Sequence, residues 1–345
     1  MTAGTEYLFE QSLEHPLFPY MELAAVSRRF GDSCERLSSW LSSVNTDRTE
    51  EEMQAYSSVL AFTFTISRLE GRYASWKELR EGVSSLSRGL SGKTACVRVA
   101  SREAGEKGRR LAAEKELGKS VAEHCAIRLE NPDIEIRVLV SNSNYYLTTK
   151  VAEVDRKSLD SRQVKYRAFF SPISLSPRYA RGLLNLCGVG KGKRVLDPFC
   201  GTGGILMEAV LLGASTVGSD IDPRMVEGTR RNFLQLGMKE GWELQRMDVG
   251  DIERLGEFDS VVTDPPYGRS SFANREDTGR LQSRAIMSAY KSLKEGGTLG
   301  IVVPDTGRLP HVDGLVLETH LTQRVHRSLV RNYLVYRKEG KRFQL

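Results

Sequence analysis

The chain has 345 residues, 40% of them hydrophobic and 27% charged, which suits two or three folded domains and excludes a disordered chain. Fifty Lys plus Arg against 44 Asp plus Glu leave a charge of +6, compatible with a polyanionic partner and insufficient to establish one. The sequence holds no apolar run of the roughly 18–20 residues that cross a bilayer, and its five cysteines include no C-x-x-C pair, so a membrane span, a disulfide scaffold and a thiolate zinc site are not expected.

In chain order, the first stretch (MTAGTEYLFEQ) lacks the basic start of a secretory signal. Tyr7–Phe9 reads as a short strand, and Met21, Leu23, Val26 and Phe30 share one face of an amphipathic helix. Polar residues from Asn45 to Glu52 mark a boundary. Beyond it VLAFTFTISR reads as strand, SWKELREGVSSLSRGL as helix and ACVRVASR as strand. A charged helix follows over Glu106–Leu117. IEIRVLV and YYLTTKVAEV then read as paired strands, joined at Ser141–Asn144 by hairpin chemistry that needs no glycine. This is an α+β unit of about a hundred residues.

From Val195 the pattern becomes α/β. RVLD, STVGSD, LQRMD, DSVVTD and TLGIVV are short apolar runs, several of them separated by helical stretches. That alternation predicts a parallel, doubly wound sheet with ligands outside the carboxyl ends of its strands. LVLETHLTQRV and LVRNYLVYR read as a hairpin added at the sheet's edge.

The densest chemical signal is VLDPFCGTGG, Val195–Gly204. A strand ends in Asp197, and Gly201 and Gly203 allow a ligand to approach the backbone where a helix begins near Ile205. The stretch lacks G-x-G-x-x-G and a Gly-Lys-Ser/Thr ending, which disfavours NAD and a P-loop. Asp220, 23 residues after Asp197, is placed to accept ribose hydroxyls, whereas Asp222 before Pro223 suits a helix cap. Asp248, after a third strand, could accept from an adenine amine. The fourth strand runs into DPPYG, Asp264–Gly268. Its two prolines stiffen the loop, so that Asp264 and the Pro265 carbonyl are fixed acceptors beside the flat face of Tyr267. An exocyclic amine on an extruded base needs those features. Cys200 has no neighbouring base in sequence, which disfavours a nucleophile, and His15, His124, His311, His320 and His326 lack metal spacing.

The order DPFCGTGG, GSDID, MD, DPPYG resembles the S-adenosylmethionine-dependent amino methyltransferases of the Rossmann-like class. FFSPISLSPRYARGLLNL, Phe169–Leu186, is similar to the lead-in segment of their RNA-modifying branch. The preceding α+β unit resembles a THUMP RNA-binding domain, and the tail RVHRSLVRNYLVYR resembles archaeal tRNA guanosine-10 methyltransferases. The third motif departs from the common GDA-like form, reading MDVGD.

The resemblance implies a ferredoxin-like part over 1–55, a THUMP domain over 56–165 and a Rossmann-like methyltransferase domain over 166–345. It implies a cytoplasmic enzyme that moves one or two methyl groups from S-adenosylmethionine to the 2-amino group of a tRNA guanosine, at position 10. The cofactor would meet Asp197, Phe199, Gly201, Thr202, Gly203, Asp220, Ile221 and Asp248; the catalytic set would be Asp264, Pro265, Pro266 and Tyr267. A small zinc-binding activator protein could pair with a sheet edge, at the strand after Gly297 or the tail hairpin. The alternatives are another guanosine of tRNA or rRNA, a DNA adenine methyltransferase, and a non-catalytic RNA-binding protein. Only 77 residues follow Gly268, little room for a DNA target-recognition region, so DNA is not expected as substrate.

Overall fold

The computed structural model describes residues 4–102, 107–171, 174–266, 277–307, 309–327 and 329–340. Two compact units result: residues 1–58 with 62–155, and 59–61 with 156–345. No helix among the described residues is long and apolar enough to cross a membrane.

The first unit contains β1 (Thr5–Gln11), α1 (Phe18–Phe30), β2 (Ser33–Arg36), β3 (Leu41–Thr46), α2 (Glu50–Val59) and β4 (Thr63–Tyr73). It continues with α3 (Trp76–Arg88), β5 (Thr94–Ser101), α4 (Lys107–Ala122), β6 (Ala126–Ile127), β7 (Ile134–Ser141) and β8 (Asn144–Glu153). All eight strands form one sheet in the order β2-β3-β1-β4-β8-β7-β5-β6. Because β1 pairs with both β3 and β4, the sheet runs across residue 55 without a break. The β7–β8 hairpin turns through Asn142 and Ser143, both left-handed at φ 51° and 60°, the primed-turn geometry that matches strand twist. Leu79 and Val83 of α3 and Leu117 and Val121 of α4 pack on Val97, Ile136 and Val138 of the sheet.

The expected boundary at Asn45–Glu52 includes the start of a helix. Thr49 and Glu52 cap α2 reciprocally: the Glu52 N–H donates to Thr49 Oγ1 at 3.3 Å and the Thr49 N–H to Glu52 Oε2 at 2.8 Å. In α1 the buried face holds Phe18, Leu23 and Val26 as expected in part, while Met21 and Phe30 are half-buried. Glu22 is fully buried there, its carboxylate accepting the Phe62 N–H at 3.0 Å.

The second unit contains α5 (Arg156–Ser161), α6 (Pro177–Leu186), β9 (Arg194–Asp197), α7 (Gly204–Leu211), β10 (Ser215–Asp220) and α8 (Pro223–Gln235). Then come β11 (Trp242–Arg246), a 3-10 turn (Val249–Leu255), β12 (Phe258–Thr263), α9 (Thr278–Ser292), β13 (Leu293–Val303), β14 (Leu315–His326) and β15 (Leu329–Lys338). The sheet order is β11-β10-β9-β12-β13-β15-β14, parallel from β11 to β13 and antiparallel over the last two pairings. The chain starts at β9, winds outward through β10 and β11, then returns to β12 on the other side of β9. The crevice at that reversal is the topological switch point.

The tail hairpin joins the sheet as expected, but β15 inserts between β13 and β14. The strand after Gly297 is therefore interior, with β12 and β15 on its two sides, and it is not available as an edge. Tyr179 of α6 stacks on Tyr333 of β15 with ring centroids 5.4 Å apart. One face of the sheet buries Ala285, Ile286 and Ala289 of α9; a separate cluster joins Leu206 and Met207 of α7 to Phe233 of α8.

Candidate active site

Asp197, closing β9, and Asp264, just after β12, flank the switch point. Asp197 is 2% exposed, and its Oδ1 accepts from Thr263 Oγ1 at 2.7 Å and the Phe199 N–H at 3.1 Å. Burial pushes its carboxyl up to about 7, and the charges of Asp264 and Asp220 push the same way. Pro265 is buried and Pro266 half-buried. Tyr267 and Gly268 lie outside the described residues.

Between β9 and α7 the turn is left-handed at Gly201 (φ 51°) and Gly203 (φ 80°). At Gly203 a Cβ would lie 2.7 Å from Thr229 Cγ2, so the glycine is required for both φ and space. At Gly201 the corresponding point meets only a backbone oxygen at 3.8 Å, which leaves one side of the turn open. The Cys200 N–H donates to the Ser219 carbonyl at 2.9 Å, and Thr229 Oγ1 donates to the Gly201 carbonyl at 2.7 Å. These bonds fasten the turn to β10 and α8. Burial pushes the Cys200 thiol far up, away from the thiolate that a nucleophile needs.

Asp220 ends β10. Its carboxylate accepts the Gly201 N–H at 3.1 Å and the Asp222 N–H at 3.0 Å on opposite oxygens. The Ile221 N–H bonds to it as well, and of the roughly four lone-pair sites of a carboxylate this leaves about one for a ligand hydroxyl. Burial raises this carboxyl too. Asp222 caps α8 through the Arg224 N–H, with Pro223 in the first helical turn.

Ile221 and Asp248 meet at a shallow pocket of about 400 Å³, completed by Arg246, Met247, Asp251 and Arg254. Asp248 Oδ1 accepts the Gly250 N–H at 2.8 Å and also pairs with Arg284 of α9. The acceptor expected to face an adenine amine thus already caps the 3-10 turn and meets a guanidinium.

The lead-in segment reaches the same turn. Asn232 of α8 accepts the Phe169 N–H at 2.8 Å and donates to the Phe169 and Thr202 carbonyls at 2.7 and 2.9 Å. Arg167 Nη1 donates to Thr202 Oγ1 at 2.9 Å, and the Ser174 and Thr202 hydroxyls are 3.2 Å apart. The structure thus groups Asp197, Phe199, Gly201, Thr202, Gly203 and Asp220 around one turn, and adds Arg167, Thr263, Thr229 and Asn232. None of these four carries a local sequence signal, because each acts from another element. An open glycine turn, a half-buried carboxylate one strand away and, beyond it, a pocket in which Ile221 and Met247 stand among charged side chains suit a nucleoside with a charged tail.

Comparison with known proteins agrees with this geometry. Residues 164–331 match the family described as RMKL-like, methyltransferase domain. The crystal structure of TrmN from Thermus thermophilus shares the fold at a TM-score of 0.58, with 21% identity over 96% of this chain and 99% of that one. A tRNA (guanine(10)-N2)-dimethyltransferase of Pyrococcus abyssi is 34% identical over 218 residues, 61% of this chain and 63% of the relative. Its counterpart in Methanothermobacter thermautotrophicus is 33% identical over 325 residues, 93% of this chain and 96% of its own length. Identity at that level, kept over nearly the whole of both chains, makes this protein a member of the tRNA (guanine(10)-N2)-dimethyltransferase family.

Proposed function

We propose that the chain transfers one or two methyl groups from S-adenosylmethionine to the exocyclic 2-amino group of guanosine 10 in tRNA. The observation that carries this reading is the pairing, across one switch point, of the glycine turn after β9 with the Asp-Pro-Pro segment after β12. S-adenosylmethionine supplies an electrophilic methyl group when bound. Asp220 accepts from its ribose, the turn from Phe199 to Gly203 packs along its amino-acid tail, and Ile221 and Asp248 border its base.

Asp264 and the Pro265 carbonyl accept the two amine hydrogens. That hydrogen bonding turns the nitrogen lone pair out of the purine ring's conjugation and toward the methyl group. The same acceptors stabilise positive charge that develops on the nitrogen as the N–C bond forms and the sulfonium–methyl bond breaks, with S-adenosylhomocysteine as leaving group; one amine proton passes to Asp264 or to solvent. Pro265 and Pro266 stiffen the segment so that the geometry is set before the base arrives. Tyr267 gives the extruded base a stacking surface, and contacts to the rest of the tRNA offset the cost of unstacking it.

Residues 1–55 act as the ferredoxin-like part and 56–165 as the THUMP-type RNA reader, in the cytoplasm. The outward face of α4, with Arg109, Lys115 and Lys119 exposed, supports that assignment. A small zinc-binding activator protein would pair along β14, the strand that closes this end of the sheet and exposes Val316 and Leu317. The test of the main reading is label transfer from radioactive S-adenosylmethionine to bulk tRNA and to duplex DNA, followed by nucleoside analysis. Labelled N2-methylguanosine from tRNA alone is expected; label in DNA adenine would overturn it.

A further inference from the structure

Behind the glycine turn, three guanidiniums and one carboxylate are buried together. Glu208 of α7 is 1% exposed and serves two of the three. It accepts from Arg162 at 2.7 and 3.1 Å and from Arg181 at 2.8 Å, with a second Arg181 contact at 2.7 Å. The third guanidinium, Arg167, is 8% exposed and faces no carboxylate within ion-pair distance among the described residues. Its Nε donates to the Arg162 carbonyl at 3.2 Å and its Nη1 to Thr202 Oγ1 at 2.9 Å. Burial lowers its pKa to about 10; the charge of Glu208, beyond ion-pair distance, opposes that shift and the charge of Arg162 adds to it.

Fastening the turn alone would not require this residue, since a neutral donor could make both bonds without a buried charge. The position of the guanidinium supplies the reason for the charge. Nη1 and Nη2 both lie 3.1 Å from where a Cβ on Gly204 would stand, flush against the first residue of α7. Gly203 is the N-cap of that helix and offers no side-chain acceptor, so the first helical N–H groups remain open to an anion. The Thr202 and Ser174 hydroxyls stand beside them. The opposite end of the same turn carries the Asp197 carboxyl. A turn with an acid at one end and a guanidinium with a helix N-terminus at the other suits a zwitterion.

We infer that Arg167 receives the α-carboxylate of the cofactor's amino-acid tail, and so makes the site selective for nucleosides that carry that tail. The inference rests on the cofactor reading above, and its test separates the two. Calorimetry on the full chain compares S-adenosylhomocysteine with 5′-methylthioadenosine, which has the same nucleoside and thioether but lacks the amino-acid tail. The readout is the ratio of the two dissociation constants. Arg167→Met should weaken S-adenosylhomocysteine by about ten- to a hundredfold, the range of a lost charge-assisted pair, and leave 5′-methylthioadenosine within about threefold. Arg167→Lys should recover part of the preference, because it keeps the charge and loses the fork. It also provides the readout if the Met variant does not fold. An unchanged ratio in the variants, with either both ligands weakened alike or neither affected, overturns the inference and leaves the cofactor reading standing. A wild-type chain that binds neither ligand overturns both.

Discussion

Asp220 ends β10 and Asp264 follows β12; they answer to different partners, so their substitutions should separate. Asp264→Ala should abolish methyl transfer while the S-adenosylmethionine affinity stays within about threefold, because its proposed partner is the amine. Asp220→Ala should instead weaken cofactor binding by about 1.5–3 kcal/mol, the value of a hydrogen bond to a charged acceptor. Titration calorimetry beside single-turnover assays distinguishes the two; full turnover by the Asp264 variant would remove it from the chemistry. Asp197 carries a pH signature. Its folded value of about 7 lies above the roughly 3.9 of an exposed aspartate. Folded protein therefore holds a proton that the unfolded chain has lost, and this contribution to stability is present below about pH 4 and lost as pH rises through 7. A cationic ligand favours the ionised form, so S-adenosylmethionine should bind more tightly from pH 5.5 to 7 and expel a proton as it does. Calorimetry at pH 6 in buffers of different ionisation enthalpy measures that proton. Asp197→Asn should erase the release, and its persistence in that variant would assign it to another group.

At the scale of elements, the glycine turn is held from both sides. Gly203→Ala places a methyl group against Thr229 in a left-handed conformation, and should cost about 2–5 kcal/mol from backbone strain plus overpacking. Gly237→Ala is the control: it has φ 70° but nothing within 4 Å of its Cβ position, and should cost only about 1–2 kcal/mol. Urea denaturation of the two variants checks the order. The strands of the second unit were legible because buried parallel strands are short apolar runs ending at polar turns, and Asp197, Asp220 and Asp264 all stand at such ends. The Ser141–Asn144 hairpin was legible from its turn chemistry. Elements with few apolar residues were not. β2 and β3 were absent from the reading, and α2 was taken for a boundary because only Met53 and Tyr56 of its residues are buried; its Thr-x-x-Glu capping signal was present. Arg167, Asn232 and Glu208 were silent for another reason. Their roles depend on a turn 30 to 35 residues away or on partners brought together by the fold, and no local pattern encodes such contacts.

At the scale of the whole molecule, the two units divide the proposed labour, with chemistry in the second and most of the RNA contact in the first. Phosphate contacts dominate affinity and release counterions, so tRNA binding by the full chain should weaken linearly in log–log form with added salt. A Lys115→Ala, Lys119→Ala double variant should lower the affinity and reduce that slope by about 1–2. Filter binding from low to moderate salt measures it, and an unchanged slope would remove this face of α4 from the interface. Cofactor affinity in the same variant should not move, since every proposed cofactor residue lies after residue 160.

The insertion of β15 between β13 and β14 also bears on the order in which this sheet can be assembled. Neither β13 nor β14 has its final neighbour until residues after 328 are available, and the last-arriving strand must enter the interior. It brings Tyr333, Leu334 and Val335, each at most 1% exposed, into the core. Before that step β13 presents a long unpaired rim, a template for association with other chains. Refolding should therefore be slow and concentration-sensitive, as expected where pairing waits on distant segments. In pulse-labelled hydrogen exchange, the amides of β13 that face β15 should gain protection together with those of β15 and later than the β9–β10 pairing. Early protection of that rim would mean that another segment shields it until β15 arrives.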